Sequence, residues 1–383
     1  MPIYQFFLPV RAVFGPGALG ALSAQVEQND RIMLVSDEGL LKAGIVGRVT
    51  DVLIEKGCKT ELFTNVPLNP AVEQVEQAME ALRTFKPTKV VAVGGGSPLD
   101  LGKIVAALAT NERPLEDYQW NGYAFERAAL PFIAIPTTAG TGSEATRCAV
   151  IGDRGIKKGI NSDRLFASAA IVDPELMAGL PPYLTATTGM DALTHAIEAY
   201  TGLGAQPMTD AWAEQAIALI GRSLPAACAD GRNLEARADM AVASMLAGVA
   251  MDQAGLGMVH AMSGPLCTQY HLAHGEANAL LLEYVMRFNL PACAPKYRKV
   301  SELLGCNTTG LTDMEAGMRA VGAVSELFKK TGAKVDVKKY GVTAGAADAI
   351  AEGACRMYML ANNPRKPALE ECGQVFLNML ADN

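Results

Sequence analysis

Lys89-Val90-Val91-Ala92-Val93-Gly94-Gly95-Gly96-Ser97-Pro98-Leu99-Asp100 decides how the first half of the chain is built. The run 89–93 is apolar and β-branched and reads as a buried strand. Three glycines then turn the chain. Ser97, Pro98 and Asp100 open a helix, with Ser97 as N-cap, Pro98 in the first turn and Asp100 as the acidic half of a capping box. Glycines let an anion approach the backbone N–H groups, and the helix N-terminus adds its positive end. Gly94, Gly95, Gly96, Ser97 and Asp100 are therefore candidates to hold a dinucleotide pyrophosphate. The Gly-x-Gly-x-x-Gly fingerprint is absent, so an ordinary tight strand-to-helix turn remains open as the alternative.

The same alternation extends on both sides. The runs 31–35, 60–63 and 132–136 read as further strands, and 38–56 and 69–85 as helices. This order predicts a mostly parallel sheet with helices on both faces, binding ligands at the carboxyl ends of its strands. Asp37, just past the strand 31–35, can accept both hydroxyls of an adenosine ribose and would repel a 2′-phosphate, which favours NAD over NADP. Its other role is to cap the next helix, unless Ser36 takes that cap. Asn69 opens the helix after the strand 60–63 and is a further cofactor candidate. Past the strand 132–136 comes Thr137-Thr138-Ala139-Gly140-Thr141-Gly142-Ser143-Glu144, whose small hydroxyl residues make Thr137, Thr138 and Thr141 cofactor candidates as well.

From about Pro181 the pattern changes. Ala/Leu/Met-rich segments with helical spacing take over, as at 211–222, 234–250, 277–288 and 314–331. The expected architecture is an α/β domain over 1–180 and an all-helical domain over 181–383. The opening run 1–10 reads as a short strand of the fold.

Composition narrows the function. The chain has 383 residues, half of them hydrophobic, and a net charge of -7. No basic run tracks a phosphate backbone, which argues against nucleic acid as a partner. No apolar stretch approaches the ~20 residues of a membrane helix. The run 1–10 has no positive leader and no cleavage pattern. The eight cysteines form no Cys-x-x-Cys pair, which fits free thiols in a reducing cytoplasm. Cys267 either lines a site or is a small buried apolar group.

All four histidines, His195, His260, His271 and His274, fall within 187–274. Asp191 and His195 are four apart in a helical stretch, so they share a face one turn apart. With His260 and His274 they make one oxygen and three nitrogens for a divalent ion, Fe(II) or Zn(II). His271 and His274 face one cavity if the turn between them is helical.

These motifs together resemble those of the iron-containing (group III) alcohol dehydrogenases. The resemblance is carried by Thr188-Gly189-Met190-Asp191-Ala192-Leu193-Thr194-His195-Ala196-Ile197-Glu198, by Gly257-Met258-Val259-His260 and by His274-Gly275. The turn at 94–100, the loop at 137–144 and Asn362-Asn363-Pro364-Arg365 add to it. It implies a dinucleotide-binding domain followed by a helical domain, with the metal on Asp191, His195, His260 and His274. It implies NAD on Asp37, Gly95, Gly96, Ser97, Thr137, Thr138 and Thr141. Lys157 resembles the family lysine near the nicotinamide, with Lys158 leaving the register open. The implied activity is an NAD-dependent alcohol dehydrogenase, or aldehyde reductase, acting on a small molecule. The implied assembly is a homodimer or higher homo-oligomer.

The chain departs from the family pattern at Gly264, where a further histidine is expected four residues after His260. His271 is the candidate to take over its catalytic role, or is a surface residue. Met251, Gly264 and Cys267 suggest an adaptable pocket edge. Arg147 either faces an anionic substrate tail, as on a sulfonate- or phosphonate-bearing acetaldehyde, or is ion-paired. The rival readings are a dehydroquinate synthase-like lyase and a non-catalytic assembly protein that binds NAD and metal.

Overall fold

The computed structural model describes residues 3–383 and resolves into two compact units, Leu8–Ala178 and Gly179–Asn383, residues 3–7 belonging with the second. The first unit carries β1 (Arg11–Phe14), β2 (Arg31–Val35), α1 (Glu38–Lys42), α2 (Ile45–Glu55), β3 (Lys59–Phe63), α3 (Val72–Phe85), β4 (Lys89–Gly94) and α4 (Gly96–Leu108). It continues through α5 (Leu115–Gln119), β5 (Phe132–Pro136), β6 (Cys148–Asp153), β7 (Ile156–Asn161) and β8 (Ala169–Val172).

Six strands form one parallel sheet in the order β1-β8-β5-β4-β2-β3. Alternate residues of β2 and β4 enter opposite cores. Met33, Val35, Val90 and Ala92 pack with α3 and α4, whereas Ile32, Leu34, Val91 and Val93 pack with α2. Burial on both faces is why these strands read as continuous apolar runs. From β2 the chain crosses to β3 on one side, and from β4 to β5 on the other, so the order reverses between β2 and β4. Ligands of open α/β sheets bind outside the carboxyl ends of the strands at such a point.

Several expectations change. The helix expected over 38–56 is two helices, because Gly44 adopts a left-handed conformation (φ 78°) between them. Residues 3–10 of the expected first strand form none, and Met1 and Pro2 lie outside the described residues. Pro9 cannot donate to a ladder. Phe6 stacks on Trp212 at 6.4 Å, and the Phe7 backbone pairs with the Gln253 amide at 3.2 and 3.0 Å. The antiparallel β6–β7 pair and the strands β1 and β8 were not foreseen.

The second unit is helical: α6 (Pro182–Thr201), α7 (Pro207–Ala229), α8 (Leu234–Ala254), α9 (Met258–Gln269), α10 (His274–Leu303), α11 (Asp313–Lys330), α12 (Ala347–Cys355) and α13 (Leu369–Ala381). α6 lies at its centre and is buried almost throughout from Thr185 on. Among the described residues no single helix is long and apolar enough to cross a membrane.

Candidate metal centre and cofactor cradle

Asp191 and His195 stand one turn apart on α6, His260 on the first turn of α9, and His274 at the first residue of α10. The close approach of α6 and α10 depends on glycine. A Cβ at Gly275 would stand 2.5 Å from the Thr187 carbonyl oxygen, so only glycine lets the start of α10 lie against α6. Glu276 pins the same turn, accepting from Tyr183 Oη at 2.6 Å, Tyr340 Oη at 2.9 Å and Ala273 N at 3.0 Å.

One ligand atom from each of the four residues lies within 4.8 Å of the others. The Nε2 atoms of His195, His260 and His274 stand 3.7, 3.9 and 3.6 Å from Asp191 Oδ1. These separations are long for hydrogen bonds. Two ligands each about 2.1 Å from a shared ion stand roughly 3 to 3.5 Å apart, which these distances approach. Asp191, His195 and His260 are buried, while the His274 side chain is 42% exposed. The group is thus open on one side, as a site that admits a further oxygen must be. Burial pushes the Asp191 carboxyl up, but His195, His274, His260 and the Asn278 amide outweigh it and hold the carboxyl below its usual range.

Two side chains at the centre were not singled out in the sequence. Asn278, one turn after His274, donates to Asp191 Oδ1 at 2.6 Å, and its buried Oδ1 has no hydrogen-bond partner. Glu198 lies 2.6 Å from His260 Nδ1. Both are spaced at helical intervals from the ligands, which was the available signal. Three imidazoles around one buried carboxylate, with an orphaned amide oxygen beside them, fit a divalent cation.

His271 falls outside this group. The turn before α10 is not helical, and His271 is exposed with left-handed backbone (φ 59°). The premise that three-residue spacing turns it toward His274 therefore fails. Cys267 is buried at 3% exposure, Met251 is half-buried, and the Cβ position at Gly264 faces Met357 Cε at 3.5 Å. Arg147 pairs with Asp163 at 2.8 Å and lies over the Phe166 ring at 5.3 Å, so its charge is already balanced.

In the first unit, the turn after β4 and the loop after β5 pack together. Thr137 N donates to Gly94 O at 3.0 Å. A Cβ at Gly95 would meet Thr138 Oγ1 at 3.3 Å, and one at Gly96 would meet Thr141 Cγ2 at 2.9 Å. The glycines are thus required by contact with the threonine loop itself. α4 begins two residues earlier than expected, with Gly95 in place of Ser97 as N-cap and no side-chain cap. Ser97 Oγ donates instead to Leu68 O, so the Ser97/Asp100 capping box does not form. Asp100 accepts from Ser143 Oγ at 2.6 Å and Val150 N at 2.9 Å, fastening the loop to α4. The uncapped start of α4 keeps the anion-binding character of a helix N-terminus.

Across the switch point, Ser36 Oγ donates to Val93 O at 2.8 Å. Ser36 therefore does not cap α1. Asp37 does, accepting from Leu40 N on Oδ1 at 3.0 Å, which leaves Oδ2 for a ligand. Asn69 is exposed beside this region of sequence. Lys157 and Lys158 lie on β7, where neighbours point to opposite faces. Lys158 Nζ is over the Trp120 ring at 4.0 Å, leaving Lys157 on the other face. Glu144, 2% exposed, has its carboxyl raised to about 7 by burial.

One unit has a sheet with an uncapped helix start at its switch point and the other is helical with an Asp/His₃ group; these are the parts of a metal-dependent dinucleotide oxidoreductase. Comparison with known proteins gives the same class and narrows it. Residues 9–174 match the family described as iron-containing alcohol dehydrogenase, and residues 185–380 match its C-terminal part. The chain is 40% identical over 381 residues to the 1,3-propanediol dehydrogenase of Klebsiella pneumoniae, covering 98% of each. A solved 1,3-propanediol oxidoreductase superposes with a TM-score of 0.95 at 39% identity, over 99% of this chain and 100% of that one. Sulfoacetaldehyde reductase from Bifidobacterium kashiwanohense, in complex with NAD+, gives a TM-score of 0.90 at 32% identity over all of both chains. The protein belongs to the iron-containing alcohol dehydrogenase family. It is an oxidoreductase of that family, and the lyase and assembly-protein readings fall away.

Proposed function

We propose that the protein interconverts a small primary alcohol and its aldehyde, using NAD(H) and one divalent metal ion, Fe(II) in the first instance and Zn(II) as the substitute. The observation that carries this reading is the convergence of Asp191, His195, His260 and His274. A bound divalent ion would supply Lewis acidity at the alcohol or carbonyl oxygen. Asp191 contributes the group's negative charge, and Asn278 holds its carboxylate in place. The buried His195 and His260 keep water from that side, and the exposed flank at His274 is where substrate enters.

Backbone N–H groups at Gly95, Gly96 and Ser97 hold the pyrophosphate, with Gly94 shaping the turn. Thr137, Thr138 and Thr141 line the cofactor. Asp37 Oδ2 takes the adenosine ribose, and its charge disfavours a 2′-phosphate. Asn69, Lys157 and Asp100 complete the cradle, Asp100 by holding the loop. The cofactor carries the hydride, and the chain supplies orientation.

The substrate is a short, uncharged molecule, since Arg147 is neutralised by Asp163. The likeness to a sulfoacetaldehyde reductase keeps anionic aldehydes in the test. Protein loaded separately with Fe(II) and Zn(II) is assayed with NADH and NADPH against neutral and anionic short aldehydes. The expected result is NADH-dependent reduction of neutral aldehydes that is lost on chelation. Inert protein in both metal forms would overturn the proposal, and a preference for anionic aldehydes abolished in Arg147→Ala would restore that residue to the substrate site.

A further inference from the structure

We infer, resting on the reading of the Asp191 group as a metal centre, that Glu198 is the positioning residue for His260. One carboxylate oxygen sets the tautomer of that histidine. The other, together with Asn363, holds the helix turn on which it stands.

α9 has no local cap. Its N-cap residue is Gly257, which offers no side-chain acceptor to the first-turn N–H groups. Those groups are met by residues distant in sequence. Val259 N donates to Glu198 Oε1 at 2.6 Å, and Met258 N to Asn363 Oδ1 at 3.2 Å. Both acceptors crowd Gly257: a Cβ there would stand 3.0 Å from Asn363 Oδ1 and 3.2 Å from Glu198 Oε1. A carboxylate in this place also complements the positive end of the helix. Asn363 is itself fixed by a reciprocal amide pair with Asn289 at 2.8 and 3.0 Å and by donation to Arg365 O at 2.6 Å. Asn362 ties down the preceding turn through Ala254 O and Leu256 O, both at 3.0 Å. The segment Asn362-Asn363 thereby acts on the metal centre through α9, without touching the ligand atoms.

The second oxygen, Glu198 Oε2, lies 2.6 Å from His260 Nδ1, with both side chains about 5% exposed. An ionised carboxylate only accepts, so neutral His260 carries its proton on Nδ1. Its lone pair is then on Nε2, the atom that faces Asp191. The opposite tautomer would set a lone pair against a buried carboxylate and aim an N–H at the ion. A partner on the far nitrogen of a ligating histidine works in this way, by orienting the ring and fixing the proton.

Glu198→Gln separates this role from plain helix capping. A glutamine keeps one acceptor for Val259 N and presents its NH₂ to His260 Nδ1, which reverses the tautomer. Metal-free protein is titrated with Zn(II), and selectively ¹⁵N-labelled histidine is observed by NMR at a pH where His260 is neutral. The expected results are Zn(II) binding weakened on the order of ten- to a hundredfold in Glu198→Gln, with the circular dichroism of the metal-free protein unchanged. His260 is expected to be protonated on Nδ1 in the wild type and on Nε2 in the variant. Wild-type protein that takes up no Zn(II) removes the metal-centre reading itself. Equal Zn(II) affinity in wild type and a folded Glu198→Gln overturns the role of Glu198 alone. If the variant fails to fold, the wild-type spectrum decides, and an Nε2 proton on His260 overturns the inference.

Discussion

Asp191 carries the only formal negative charge among the four ligand candidates and touches all three imidazoles through one oxygen. Asp191→Asn keeps the shape and removes the charge. It is expected to weaken Zn(II) binding at least tenfold in a direct titration, whereas His271→Ala is expected to leave binding unchanged. A second test concerns the cofactor. Asp37→Ser keeps an N-cap for α1 and deletes the carboxylate. The NADPH-to-NADH ratio of kcat/KM is expected to rise about tenfold or more, since removing a repulsion of roughly 1.4 kcal/mol is a factor of ten; an unchanged ratio would take Asp37 out of the ribose site. At this scale the cluster of Asp191 with three histidines was legible because histidine is scarce in this chain and its chemistry resides in the side chain. Glu198 and Asn278 were not, because a buried acid or amide acquires its role only from the partner that folding brings to it. For Arg147 the sequence left an ion pair open without naming its partner, because Asp163 is invisible in the local pattern.

The contact of α6 with α10 through Gly275 is an element-scale device. Gly275→Ala forces the helices apart or distorts the turn, and overpacking of this kind costs about 1 to 3 kcal/mol. It is expected to lower Tm and also to weaken metal binding, because His274 precedes the glycine; a loss of stability with intact metal affinity would mean the turn yields elsewhere. In the first unit, the loop from β5 to β6 buries Glu144 with its carboxyl raised to about 7, chiefly by desolvation. The sign follows from proton linkage. The folded state holds this proton more tightly than the unfolded chain, so the contribution of Glu144 to stability falls as pH rises from about 4.5 to about 7 and is constant outside that window. Glu144→Gln is expected to become more stable relative to wild type across the same window, by up to about 3 kcal/mol. Urea denaturation at pH 5 and pH 8 measures it, and a pH-independent difference would contradict it. The strands buried on both faces were readable as apolar runs. The helix α10 was read only in part, because Pro291 and Pro295 signal breaks in isolation. Packing on α6 and α11 carries the helix through them, to 30 residues.

For the whole molecule, the proposed function divides the chemistry between two units of different architecture, a dinucleotide for the first and a metal for the second. The two compact units divide at Ala178/Gly179, and the change from strand-and-helix alternation to helical spacing lies at about Pro181 in the sequence. Residues 3–7 escaped that reading because Phe6 and Phe7 look like strand residues and are held by Trp212 and Gln253 of the helical unit. Metal binding to the folded state alone must raise its stability. At a free ion concentration a thousandfold above Kd the gain is about 4 kcal/mol. Chelation is therefore expected to lower Tm by several degrees in the wild type and not in Asp191→Asn. The most direct measurement is anomalous diffraction at the iron edge from crystals of protein reconstituted with Fe(II). A single strong peak bounded by Asp191, His195, His260 and His274 is expected; an iron-replete crystal with no peak there, or with its iron bound elsewhere, would contradict a metal centre at these residues.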